Sequence, residues 1–129
     1  MKRTLFSILF LLAISIASHS QCTIASNGQW FASGATICAG SYTNIGWAGT
    51  MTIPAGVTVS LISPNISSGT LIVKAGATLN VTAATFKTNG SVTVEAGAKL
   101  NVTGKLTANS GKLVVEPGAT LNATSLELN

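Results

Sequence analysis

The sequence predicts an all-β fold, a parallel β-solenoid, and three observations support this fold class. The second half of the chain repeats at a fixed interval of 21 residues, as the positions of Gly76, Gly97 and Gly118 show. Within each repeat, apolar and polar residues alternate with a period of two, which is typical of strands buried on one side. No apolar stripe at helical spacing competes with this alternation, and the repeats are rich in Thr, Val and Gly, which are poor helix formers.

Three consecutive repeats are close copies of one another, and they begin at Gly69, Gly90 and Gly111. An earlier and looser copy surrounds Gly56. Because one such unit cannot bury its apolar side alone, successive units must stack about 4.8 Å apart, with one repeat per turn. We expect a right-handed solenoid over residues 51–129, with the turns 51–68, 69–89, 90–110 and 111–129. A β-sandwich is the alternative, but its hairpins would not require equivalent residues at a fixed offset.

The alternation assigns a side to each residue of the repeat. Leu71, Val73 and Leu79, with their counterparts in the later copies, are expected to point inward. The glycine at the corner between the two runs suits a turn that needs a positive φ. A third run, around Phe86 and its counterparts, slips by one residue between copies, so its inward side is less well determined by the pattern.

The first residues of the chain have the pattern of a secretory signal peptide. A Lys-Arg pair at positions 2 and 3 precedes the apolar run Leu5–Ile16, which at about 12 residues is shorter than the roughly 20 that a spanning helix needs. Small residues then lead to a cleavage site after Ser20, so residues 1–20 are expected to be removed. We expect a secreted or cell-surface protein without a membrane span after cleavage. A retained N-terminal anchor and a lipoprotein attached at Cys22 are the alternatives.

Beyond residue 20 the chain carries little charge. Five lysines and three glutamates remain, without histidine, arginine or aspartate, and this small basic excess argues against nucleic acid as a partner. An activated nucleophile or a metal centre needs residue types that are missing, so we expect no catalytic residue, no metal and no cofactor. Glu95 and Glu116 occupy one repeat position in adjacent turns, which leaves a glycosidase hypothesis open. A solvated ladder with Lys74 is the simpler explanation.

Residues 21–50 differ from the repeats, and we interpret them as an N-terminal cap. In an oxidising compartment, Cys22 and Cys38 are expected to form a disulfide, rather than a metal site or a reactive thiol. The segment also contains four aromatic residues, which are expected to pack as its core: Trp30, Phe31, Tyr42 and Trp47. The alternative is a sugar-binding platform formed by exposed Trp30 and Trp47.

The unit V-x-x-G-A-x-L-x-V, which recurs over residues 52–129, resembles the β-helical repeats of secreted bacterial adhesins and other cell-surface solenoid proteins. This resemblance implies an exported, non-enzymatic structural or adhesive module of a bacterial cell surface or extracellular matrix. Solenoid polysaccharide lyases share the architecture, but their acidic calcium ligands and basic catalytic residues have no counterpart here. The sequence ends within a turn at Asn129, which predicts either stacking with a second copy or a place as the N-terminal part of a longer adhesin.

The outward side of the second run is the candidate binding face. Its residues would form a flat polar array: Thr78, Asn80, Thr82, Lys99, Asn101, Thr103, Thr120, Asn122 and Thr124. Flat threonine arrays on β-solenoids resemble ice-binding faces, so ice and surface polysaccharide are the expected ligands of this alternative function. The three asparagines belong to Asn-x-Thr sequons, as Asn65 belongs to Asn-Ile-Ser. Stacked amides that bond one another explain them without glycosylation.

Overall fold

The computed structural model of the chain describes residues 21–66, 69–109 and 112–129. The predicted signal peptide therefore lies outside the described residues. The described part contains 16 strands and no helix, and every strand pairing within it is parallel. The strands wind into a β-solenoid of about five turns with about 20 residues per turn, which confirms the predicted fold class.

The solenoid has three faces. Each of the five turns contributes one strand to each face, and one further strand on the third face precedes the first turn. The first face contains β2 (Gly34–Thr36), β5 (Thr50–Ile53), β8 (Thr70–Val73), β11 (Val92–Val94) and β14 (Leu113–Val115). The second face contains β3 (Gly40–Thr43), β6 (Thr58–Ile62), β9 (Thr78–Thr82), β12 (Lys99–Val102) and β15 (Thr120–Asn122). The third face consists of two three-stranded sheets, β1 (Trp30–Phe31), β4 (Gly46–Trp47) and β7 (Asn65–Ile66), then β10 (Thr85–Thr88), β13 (Lys105–Ala108) and β16 (Ser125–Leu128).

The register between turns explains the slip of the third run. Leu79 pairs with Leu100, 21 residues later, on the second face, whereas Phe86 pairs with Leu106, 20 residues later, on the third. Three residues separate Val81 from Thr85, whereas only two separate their paired counterparts Val102 and Lys105, so the path to β13 is one residue shorter than the path to β10. Gly104 lies on that shorter path, and a Cβ there would come within 2.2 Å of two backbone oxygens of the preceding turn. A glycine therefore allows the shorter path, and the inward residues stay aligned.

The core is a continuous column of apolar side chains inside the solenoid. Leu71, Val73, Leu79 and Leu100 are fully buried, as the alternation predicts. Their counterparts in the fifth turn are less buried, and Val115 is 41% exposed, because among the described residues no further turn covers β14, β15 and β16. Burial of an inward residue therefore depends on a turn on each side of it.

The corners between the first and second faces have the backbone conformation that the pattern predicts. Gly56, Gly76, Gly97 and Gly118 all have a positive φ, between 71° and 81°. L-residues with a side chain rarely adopt this conformation, whereas glycine does so without steric cost. Each corner is closed by a backbone hydrogen bond, for example from the Ala98 N–H to the Glu95 carbonyl at 2.9 Å.

The segment Gln21–Gln29 covers the edge of the first turn. The Thr23 N–H donates to the Thr36 carbonyl at 2.7 Å, so this segment adds one partner to the edge of β2. On the edge of β3, the Asn27 side-chain oxygen accepts the Thr43 N–H at 2.9 Å, and the Gly28 N–H donates to the Thr43 carbonyl. The strands from Trp30 onward already pair in register with the next turn of the solenoid. The capping contacts therefore come from residues 21–29, the first nine residues that the structure describes.

The predicted disulfide is confirmed, and it joins this covering segment to the residues just after β2. Cys22 and Cys38 are bonded across a separation of 16 residues. Of the aromatic residues, Trp47 and Tyr42 are buried, and the Trp47 ring lies 6.4 Å from that of Phe86 in the core. Trp30 is 47% exposed on the third face.

Substitution of one leucine position in two different turns should test the dependence of burial on stacking. Leu100→Ala should lower the free energy of unfolding by about 2–5 kcal/mol, because it opens a cavity between two turns. Leu121→Ala removes the equivalent side chain from the half-buried fifth turn, where it leaves no enclosed cavity, and should cost clearly less. Urea denaturation followed by circular dichroism measures both values, and equal losses would contradict the stacked core.

Candidate binding face

The structure places all nine residues of the candidate binding face on the second face, in three rows. The first row follows the paired positions of β9, β12 and β15 and contains Thr78, Lys99 and Thr120. The middle row contains Asn80, Asn101 and Asn122. The third row contains Thr82 at the end of β9, with Thr103 and Thr124 directly after β12 and β15. These rows run parallel to the solenoid axis, and every member is exposed or half-buried.

The asparagines of the middle row form a hydrogen-bonded ladder. The Asn101 amide nitrogen donates to the Asn80 side-chain oxygen at 2.9 Å, and the Asn122 amide nitrogen donates to the Asn101 oxygen at 2.8 Å. Parallel, in-register strands place identical side chains one strand spacing apart, which is the geometry that such a ladder needs. Three of the four sequon asparagines are thereby explained by contacts between turns, whereas Asn65 lies exposed on β7.

The threonines of the third row also bond the neighbouring turn. The Thr124 hydroxyl donates to the Thr103 carbonyl at 2.8 Å, and the Thr103 hydroxyl accepts the Ala83 N–H at 3.2 Å.

Two residues reduce the regularity of the face. Lys99 places a charge in the first row, and Ile62, 40% exposed, continues the third row into the second turn.

The two glutamates of the glycosidase hypothesis are both bonded to the turn before them. The Glu95 carboxylate accepts the Lys74 ammonium and the Ala75 N–H, each at 3.0 Å. The Glu116 carboxylate accepts the Ala96 N–H at 3.0 Å. The bond from Lys74 is the main reason that the pKa of Glu95 lies below its usual value, the Ala75 N–H adds to the effect, and desolvation opposes it. These contacts agree with the simpler explanation of a structural ladder.

Sequence reasoning missed a second asparagine ladder, which runs along the corner that follows the third face. The Asn109 amide nitrogen donates to the Asn89 side-chain oxygen at 2.8 Å, and the Asn129 amide nitrogen donates to the Asn109 oxygen at 3.3 Å. These residues repeat at an interval of 20, whereas the conspicuous repeat is 21. A separate search at the shorter interval would have found them.

The hypothesis that Trp30 and Trp47 form an exposed sugar-binding platform is wrong for Trp47. Trp47 is fully buried and contacts no solvent, so only Trp30 offers part of its ring at the surface.

Residues 21–66, 69–109 and 112–129 include no group of three potential metal-ligating side chains of the His, Cys, Asp or Glu type. The same residues form no helix of the length and hydrophobicity that a membrane span requires.

Comparisons with protein-family models, with curated proteins and with solved structures found no match to this chain.

The contacts of Glu95 predict a stability loss in acid. Because its pKa is lower in the folded state, Glu95 contributes stability that is fully present above the pKa of the unfolded chain, about 4.3. That contribution is lost as the pH falls through the lower, folded pKa. The melting temperature of the wild-type protein should therefore exceed that of Glu95→Gln at neutral pH, and the two should converge as the pH falls through the folded pKa of Glu95. A difference that does not change with pH would contradict this assignment.

Proposed function

We propose that this protein is an exported, non-enzymatic structural or adhesive module of a bacterial cell surface or extracellular matrix. The observation that carries the proposal is the array on the second face, where hydroxyl and amide groups recur at matching positions in successive turns. The resemblance of the repeat to those of secreted adhesins supports the same role. The Cys22–Cys38 disulfide supports export, because disulfides persist in oxidising compartments.

The mechanism of adhesion would be many weak contacts with a neutral, hydroxyl-rich partner such as a surface polysaccharide. The ladder bonds hold the amides of Asn80, Asn101 and Asn122 in fixed positions before a ligand arrives, so little side-chain entropy is lost on binding. A repeating polymer can contact several turns at once, and each further contact is then intramolecular. Lys99 is the one charged residue among the nine.

An alternative function uses the same residues in a dedicated binding protein for ice or for a polysaccharide. The observation in its favour is that all nine candidate residues share one face and none is buried. Both functions require an unobstructed second face, and binding to ice would distinguish the alternative function from adhesion.

Bulky substitutions on the second face should abolish adhesion without unfolding the protein. The triple variant Thr82→Tyr, Thr103→Tyr, Thr124→Tyr obstructs the third row, and the three positions are exposed. Retention on insoluble polysaccharide or on whole cells should be lost, and the circular dichroism spectrum should be unchanged. The matched control is Thr85→Tyr, an exposed position on β10 of the third face, which should bind like the wild type. Binding that survives the triple substitution would exclude this face.

Self-association is the structural variant of the proposal, and it would use the fifth turn. Val115, Leu126 and Leu128 are 41%, 48% and 54% exposed, and no described strand pairs with the outer edges of β14, β15 and β16. The edge of the first turn is already bonded by Gln21–Gln29. Two copies would therefore meet through their fifth turns in a closed two-fold dimer rather than in an open filament.

Light scattering over a concentration series tests this contact. The wild type should form a dimer as concentration rises, and Leu126→Lys should remain a monomer because a lysine cannot enter the apolar contact. Ile24→Lys is the control, since Ile24 is 77% exposed at the opposite end and should leave the dimer intact. A wild type that is monomeric at every concentration would reject self-association.

A further inference from the structure

The first face presents an unbroken row of side chains that branch at Cβ. Strand register aligns one such residue from each of the five turns: Thr36, Thr52, Ile72, Thr93 and Val114. All five are half-buried, and each carries at least one methyl group on its Cβ. Because β-branched side chains have restricted χ1 rotamers, these methyl groups occupy fixed positions that repeat at the turn spacing of about 4.8 Å.

A second row, of hydroxyl groups, runs beside the first. Thr50 pairs with Thr70, and Ser91 takes the equivalent position before β11. The outer side of the first face therefore alternates between a line of methyl groups and a line of hydroxyls over the central three turns.

This surface carries almost no charge. The outward side chains of β2, β5, β8 and β11 are all neutral, and Lys112, next to β14, is the first charged residue along the face. At the adjoining corner, the charges of Lys74 and Glu95 are paired with each other at 3.0 Å. Water over this face is therefore oriented by methyl groups and hydroxyls rather than by ions.

We propose that the first face binds ice. Methyl groups restrict the orientations of the first water layer, and hydroxyls in fixed positions can hydrogen-bond into that layer and anchor it. Both kinds of group repeat with the regularity of the parallel strands, so the water they order is itself periodic. A periodic water layer can merge with the surface of an ice crystal, which is a partner without charge and with translational order.

The first face suits this partner better than the second face does. On the second face, the Asn80, Asn101 and Asn122 amides already bond one another, and Lys99 would orient water around its charge. A polysaccharide is the less favoured partner of the first face, because sugar rings stack on aromatic side chains and all outward residues of its strands are aliphatic or hydroxylic. This inference does not depend on the proposed adhesive function, and neither result decides the other.

The experiment follows single ice crystals in solutions of the purified protein and the uptake of the fluorescently labelled protein into growing ice. The wild type should facet the crystals, separate their freezing and melting temperatures, and enter the ice. Thr52→Lys and Thr93→Lys should each lose all three effects, because a charge in the methyl row disrupts the ordered water. The matched control Thr85→Lys places the same charge at an exposed position on β10 of the third face, and it should retain them.

A second variant keeps the test decisive if a lysine weakens the fold. Thr52→Ser combined with Thr93→Ser keeps both hydroxyls and removes two methyl groups, and it should lose the effects on ice with an unchanged melting curve. A wild type that neither facets ice nor enters it would overturn the inference, as would equal loss in Thr85→Lys. Retention on crystalline cellulose or chitin that Thr52→Lys abolishes, without any effect of the wild type on ice, would assign the face to polysaccharide instead.

Discussion

Each turn of this solenoid buries its apolar side chains only against the turns on either side, and the rest of the structure depends on that stacking. A fully buried leucine contributes about 1.5–3 kcal/mol relative to an exposed one, and Leu79 and Leu100 gain all of it because both have neighbours on each side. Leu121, at the same position in the fifth turn, gains only part. Strict register follows from this requirement, since a slip of one residue would turn every inward side chain outward.

The same register also determines where polar groups find partners. The Glu95 and Glu116 carboxylates each accept an N–H from the corner of the preceding turn, and the two asparagine ladders connect side chains one turn apart. In each case the partner lies 20 or 21 residues earlier in the chain. Hydrogen bonds, ion pairs and apolar contacts therefore all stabilise the same in-register stacking of each turn on the turn before it.

Much of the fold could be predicted because a single repeat encodes it. The alternation at Leu71–Val73 and the glycine at Gly76 are enough to assign inward residues and corners, and copies at fixed offset determine the stacking. The sequence pattern shows the one-residue slip of the third run, but it could not show that the inward residues of this run stay aligned, because that depends on the backbone path through the corner at Gly104. The contact of Trp47 with Phe86 was equally inaccessible, since it joins residues 39 positions apart.

The candidate sites could be predicted only in part, for a related physical reason. Stacking strongly restricts which side chains can occupy inward positions. At an outward position it requires only that the side chain fits beside the next turn. The three faces share this freedom, yet their outward chemistry differs: amides that bond one another on the second face, methyl groups and hydroxyls on the first, and the charged Lys87, Lys105 and Glu127 on the third. Because the fold does not require a face to be chemically uniform along its length, uniformity on the first and second faces is the feature that points to a function.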